Sequence, residues 1–183
     1  GTVFFLFRIG RRLFSPATAW LFAAGIALLP QYAFLSAYIN NDIFGIFCGS
    51  VMVYFWLRGI DSGWAYKDCL GLGCAMGICL LSYYFAYPMI AASVFLFAAT
   101  SFPRVRTLQR GRMETKRPDF LHAVKPALLG GAALGIAGWY FMRNIMLYDG
   151  DVFAMEASRI CSEVYAIPAM KPSVRATPEH MGV

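Results

Sequence analysis

Residues 17–38 (ATAWLFAAGIALLPQYAFLSAY) and 43–57 (IFGIFCGSVMVYFWL) carry no charged side chain, and only Ile39-Asn40-Asn41-Asp42 lies between them. About 20 apolar residues cross a bilayer as a helix, so two such stretches in tandem constrain the fold more than any other feature. Hydrocarbon holds no water for a free backbone N–H or C=O, which makes each span a helix and pushes irregular connections outside the hydrocarbon or into protein. The whole chain is 59% hydrophobic and 14% charged, against about 25% charged in soluble domains. These values predict an all-α, polytopic transmembrane helix bundle.

Five spans can be traced after a partial one. The opening GTVFFLF reaches Arg8, Arg11 and Arg12 too soon to cross a bilayer, so the chain is expected to begin part-way through a span, as an internal piece with no signal peptide. The first full span is 17–38, bent by Pro30, which lacks a backbone N–H and clashes with the preceding turn. The second is 43–57. Asp61, Trp64, Lys67 and Asp68 form a polar connection, followed by shorter apolar stretches at 69–84 and 86–102, broken near Tyr87-Pro88. After the polar loop RVRTLQRGRMETKRPDF comes a last span over 121–142. The expected division is a transmembrane helical domain over 1–149 and an extracytoplasmic segment over 150–183.

Lys and Arg in short loops stay cytoplasmic. Alternating the spans gathers Arg8, Arg11, Arg12, Arg58, Lys67, the six basic residues of 104–117 and Lys125 on one side. Arg143, Arg159, Lys171 and Arg175 are left on the other, a division of 12 against 4. The first side is therefore cytoplasmic, and Asn40-Asn41-Asp42 and Arg143-Asn144 both face the extracytoplasmic surface. The net charge of +6 follows from topology, not from a basic face with aromatic platforms, so no nucleic-acid partner is expected. Anionic lipid headgroups are the natural contacts of the 104–117 loop.

Cys69, Cys74 and Cys79 recur every five residues, which turns each well away from the last around a helix, and zinc sites favour closer pairs. With Cys48 and Cys161 they form no metal or disulfide framework and read as packing residues. Gly73 with Gly77, and Gly131 with Gly135, are small-xxx-small pairs that let helix backbones approach closely. Both pairs are expected to be packing faces.

Two polar clusters remain. Asn41 or Asp42 ahead of an apolar helix is a favoured cap, and a carboxylate there complements the positive helix end. Capping needs one such residue, and Asn40, Asn41 and Asp42 make three in a row. At the end of the last span stands WYFMRN, then YDGD. One reading makes Trp139 and Tyr140 an interfacial belt, Arg143 a cation snorkelling to headgroups and Asp149-Gly150 a turn. The other makes Arg143 a phosphate ligand, since a guanidinium grips phosphate oxygens through two parallel hydrogen bonds.

The ordered set LPQYAFLSAYINNDIFGIFCGSVMVYFWLR, GLGCAMGICLLSYYFAYP and GWYFMRNIMLYDGD resembles bacterial multi-spanning membrane proteins related to the GT-C glycosyltransferases, in the protein mannosyltransferase and aminoarabinose transferase groups. The resemblance covers roughly residues 25–151, and its most specific pieces are P-x(9)-NND and W-x(3)-RN-x(3)-YDGD. It implies an integral protein of the bacterial plasma membrane that moves a sugar from a polyprenyl-phosphate donor to an extracytoplasmic acceptor. It makes Asp42 a catalytic carboxylate and Asn40, Asn41, Arg143 and Asn144 ligands of the donor and its phosphate. Asp149 and Asp151 become candidates for the acceptor or for a divalent cation, magnesium or manganese. The catalytic base of such proteins sits in a first outer loop, expected upstream of residue 1. The chain departs from the pattern at Leu81-Ser82-Tyr83, where relatives carry leucine-threonine-lysine, so Tyr83, Tyr84 and Tyr87 are left either to line an isoprenoid or sugar groove or to form an interfacial aromatic cluster. Two rivals stand beside this reading: a transporter or flippase of lipid-linked precursors, which needs ionisable groups along mid-span where this chain has almost none, and a noncatalytic membrane scaffold.

Overall fold

The structure, a computed structural model, describes residues 1–37, 41–82, 86–101, 121–168 and 171–174. Among these residues the fold is all-α, with eight helices and no strand: α1 (Thr2–Leu13), α2 (Pro16–Ala27), α3 (Pro30–Ala37), α4 (Asn41–Ser62), α5 (Tyr66–Leu80), α6 (Tyr87–Ser101), α7 (Leu121–Leu147) and α8 (Met155–Tyr165). They divide into two compact units, Gly1–Ala137 and Gly138–Val183.

Local chemistry sets the helix ends. Ser15 accepts a hydrogen bond from the Thr18 backbone N–H through its hydroxyl, and Pro16 takes the first helical position of α2, where its missing N–H costs nothing. Pro30 acts as expected: α2 and α3 meet at a 56° bend. Of the described helices, α4 is long and apolar enough to cross a membrane, and the bent α2–α3 pair is so when taken as one span; α6 is a shorter apolar helix.

The polar connection expected at 61–68 is mostly helix. Helix α4 continues through Arg58 and Asp61 to Ser62, and α5 already contains Lys67 and Asp68. Only Gly63, Trp64 and Ala65 connect them, because Gly63 (φ 66°) and Trp64 (φ 61°) both adopt left-handed backbone and reverse the chain within three residues. Trp64 is 1% exposed. Its indole occupies the space that a side chain at Gly59 would need, since a Cβ there would lie 2.5 Å from the ring. The ring also packs edge-on against Phe97, with centroids 4.9 Å apart, and donates to Thr100 Oγ1 at 2.8 Å.

The rest of the core of the first unit runs through Cys48, Met52, Leu72 and Met76 to Leu129 and Ala133. The cysteines are free thiols; Cys48, Cys69 and Cys79 are buried as packing residues should be, Cys74 is half-buried, and Cys161, being exposed, departs from that expectation. Gly73 and Gly77 bring α5 against α7: a Cβ at Gly73 would stand 2.5 Å from the Leu129 carbonyl oxygen, and one at Gly77 2.9 Å from that of Ala133. Gly131 and Gly135 depart from expectation. Nothing lies within 4 Å of the Cβ either would carry, because α7 turns its Leu129–Ala133 side to α5.

One end of this unit is a polar clasp. Arg8 donates to the Tyr54 hydroxyl (3.3 Å), Arg12 pairs with Asp61 (2.5 Å) and Arg58 pairs with Asp68 (2.7 Å). Ser62 Oγ donates to the other Asp68 oxygen at 2.6 Å, and Lys125 Nζ donates to the Gly63 carbonyl at 2.9 Å. Asp68 is 2% exposed, a depth at which a carboxylate needs both its partners. Asn41 and Asp42 start α4 at its other end, about 30 Å away at 1.5 Å per residue.

Candidate functional site

In the first unit, Asn41 is the first residue of α4 and Asp42 lies in its first turn, both exposed. A carboxylate at this point faces the positive end of the helix dipole. Asn40, Tyr83, Tyr84 and the 104–117 loop lie outside the described residues. About one and a half turns along α4 from Asp42, Phe47 enters an apolar crevice of about 270 Å³, walled also by Phe5, Val51, Phe55 and Cys74 from α1, α4 and α5. Such a lining accepts hydrocarbon and offers nothing to a sugar or a phosphate.

The second unit separates two residues that stand side by side in the sequence. Arg143 and Asn144 are successive on α7, so about 100° of helix rotation lies between them. Arg143 is exposed and, among the described residues, makes no ion pair. Asn144 is 1% exposed; its Nδ2 donates to the Val152 carbonyl at 3.0 Å, and its Oδ1 is buried without a partner among the described residues. The amide is thus a strut beneath the turn that follows α7.

That turn accounts for both aspartates. Asp149 (φ 51°), Gly150 (φ 95°) and Ala154 (φ 53°) take left-handed backbone, a conformation aspartate tolerates and glycine favours. Gly150 N–H donates to the Ile145 carbonyl (3.1 Å) and Asp151 N–H to that of Tyr148 (3.0 Å). Asp151 Oδ2 accepts from the backbone N–H of Glu156 (2.8 Å) and of Ala157 (3.3 Å), capping α8. Desolvation pushes the Asp151 carboxyl up, but the backbone N–H groups of Met155, Ala157, Glu156 and Phe153 together hold it below the ordinary aspartate value. Asp149 is exposed beside it.

A divalent cation wants several oxygen ligands, carboxylates among them. No group of three or more His, Cys, Asp or Glu side chains that could hold a metal occurs among the described residues, and Asp151 already serves the α8 backbone. The sequence offers Asn144 as a donor ligand, and the structure adds a contact the sequence did not announce, the hydrogen bond from its Nδ2 to Val152. The available signal was its place a few residues ahead of an Asp-Gly turn, where a buried amide can tie the returning chain.

Comparison with curated proteins gives no match, and comparison with solved structures gives none either. A family model described as dolichyl-phosphate-mannose-protein mannosyltransferase matches residues 2–113. The match takes in α1 to α6 with Asn40, Asn41 and Asp42, covers more than half of the 183 residues and ends before Arg143. The chain belongs to the dolichyl-phosphate-mannose-protein mannosyltransferase family, membrane-integral glycosyltransferases of the GT-C type.

Proposed function

We propose that this chain serves the transfer of a sugar from a polyprenyl-phosphate donor to an acceptor on the extracytoplasmic side of a bacterial plasma membrane. The observation that carries the reading is the polarity of α4: its far end is tied into the clasp of Arg12, Asp61, Arg58 and Asp68, while Asn41 and Asp42 present amide and carboxylate at its start. An acceptor hydroxyl attacks the anomeric carbon, the bond from that carbon to the phosphate oxygen breaks, and polyprenyl phosphate leaves with the bonding pair. The hydroxyl proton passes to a base. Positive charge grows on the sugar ring in such a displacement, and Asp42 is the carboxylate suited to oppose it. Asn40 and Asn41 hydrogen-bond the sugar, and the crevice beside Phe47 accepts hydrocarbon. In the second unit, taken by itself, exposed Arg143 offers a planar fork that suits a phosphate, while Asn144 holds the loop that follows. Each role rests on its own unit and is tested by itself.

Orientation comes first. With Cys161→Ser and Cys74→Ala removing the accessible thiols, Asn41→Cys and Ser158→Cys should react with a membrane-impermeant maleimide in intact cells, and Arg110→Cys should not. Modification of Arg110→Cys alone would invert the topology and remove the site.

For Arg143, lysine preserves the charge and can still snorkel, but it lacks the bidentate fork. Arg143→Lys should weaken binding of a polyprenyl-phosphate sugar by about 1.5–3 kcal/mol, the range for a charged hydrogen bond, or roughly 10- to 150-fold. Arg143→Ala should do no less, with unchanged thermal unfolding in both variants. Donor binding by Arg143→Lys equal to that of the unsubstituted protein would leave Arg143 as a headgroup anchor.

A further inference from the structure

Helix α8 has one apolar side that the described residues of its unit leave uncovered. Ala157, Ile160, Cys161 and Val164 recur at three- and four-residue spacing, opposite Glu156, Arg159, Ser162 and Glu163. The polar side is closed by its own contacts. Arg159 holds both Glu156 oxygens, at 3.0 and 2.6 Å. Glu163 accepts from the Ser173 hydroxyl and from the Ser173 backbone N–H, which together keep its carboxyl below the ordinary value. Ser173 thus lies against the charged side, and among the described residues the apolar side stays open: Ile160 is 56% exposed and Val164 61%.

The same compact unit indicates what covers that side. The last turns of α7 expose Trp139, Met142, Ile145 and Met146, and in a membrane-integral family a bare surface of this kind faces lipid. Residues 148–154 alone separate α7 from α8, at most about 25 Å of chain. This link is an elbow fixed by the Asn144–Val152 hydrogen bond, the Asp151 cap and the edge-on contact of Phe153 with Phe141, ring centroids 5.9 Å apart. Helix α8 therefore starts where the apolar surface of α7 stops. Its two glutamates and one arginine nearly balance, so headgroup charge contributes little and apolar insertion must hold it.

We propose that α8 is an interfacial helix lying in the plane of the bilayer surface, with Ile160, Cys161 and Val164 in the boundary between headgroups and acyl chains. Helices of this kind bury their apolar face about 5–10 Å deep. The inference rests on the membrane embedding of the family and is independent of the transfer reaction.

The natural thiol at 161 is the probe. In the full chain carrying Cys74→Ala, reconstituted in phosphatidylcholine vesicles, a nitroxide on Cys161 should collide more with oxygen, which concentrates in lipid, than with a water-soluble nickel chelate. The order should invert at Ser158→Cys and Ser162→Cys in the Cys161→Ser background. Adding anionic lipid should change none of these ratios. Low collision with both agents at 161 would put a protein partner on the face, and nickel exceeding oxygen there would put it in water; either result overturns the proposal. The labelled positions are exposed, so the variants should fold, and unaltered thermal unfolding provides the control.

Discussion

Replacing Asp42 by asparagine in the full chain is expected to lower sugar transfer by about 100- to 1,000-fold, the range seen when one preorganised electrostatic group is removed from a reacting centre. The substitution separates two roles of one residue. Asparagine caps a helix nearly as well as aspartate, so stability should move by only a few tenths of a kcal/mol if Asp42 serves the start of α4 alone. It removes the negative charge while keeping size and hydrogen-bonding shape. A rate loss without a shift in thermal unfolding therefore identifies the carboxylate with the chemistry. Transfer at the unsubstituted rate would reduce Asp42 to a cap and leave Asn40 and Asn41 without a reason to flank it.

Gly73→Leu should destabilise the first unit by about 3 kcal/mol, the upper end of the usual cost of overpacking. The neighbour of the new Cβ is the Leu129 carbonyl at 2.5 Å. Backbone cannot swing aside as a long side chain can, so α5 and α7 must separate. Gly135→Ala is the matched control, since its Cβ meets nothing within 4 Å. With α7 already helical there, alanine should be neutral or stabilise by about 0.5–1 kcal/mol through helix propensity. Unfolding by titration with a denaturing detergent measures both. Equal effects would mean that the α5–α7 contact does not depend on close backbone approach.

These two glycine pairs show what pattern alone can decide. Spacing identified Gly73/Gly77 and Gly131/Gly135 alike as candidate packing faces, because four-residue periodicity depends only on helix geometry. Which pair faces protein depends on the side that α7 turns to α5, a tertiary fact. Pro30 was legible because its lost hydrogen bond is a local matter, and the helical class was legible because a membrane leaves few other options. The turn at Gly63-Trp64 was not: a left-handed tryptophan defies its intrinsic preference and is held by Gly59, Phe97 and Thr100 on neighbouring helices. At the candidate site, sequence marked Asp42 as catalytic and Asn41 and Arg143 as ligands of the donor, and the structure leaves all three exposed. It did not show that Asn144 is buried while Arg143 is exposed, because adjacency in a motif hides the rotation between successive helical residues.

The short turn between α4 and α5 also sets an order of events in time. Trp64 finds the acceptor for its indole N–H 36 residues further on, at Thr100, and the Gly63 carbonyl finds its cation 62 residues after it, at Lys125. At a synthesis rate of about 5–20 residues per second, those partners emerge roughly 2–7 s and 3–12 s after the groups that need them. Until then the α4–α5 hairpin carries two polar groups that lack their partners in the finished fold. The arrival of α6 and then α7 supplies both partners, so the turn is completed only by chain made after it.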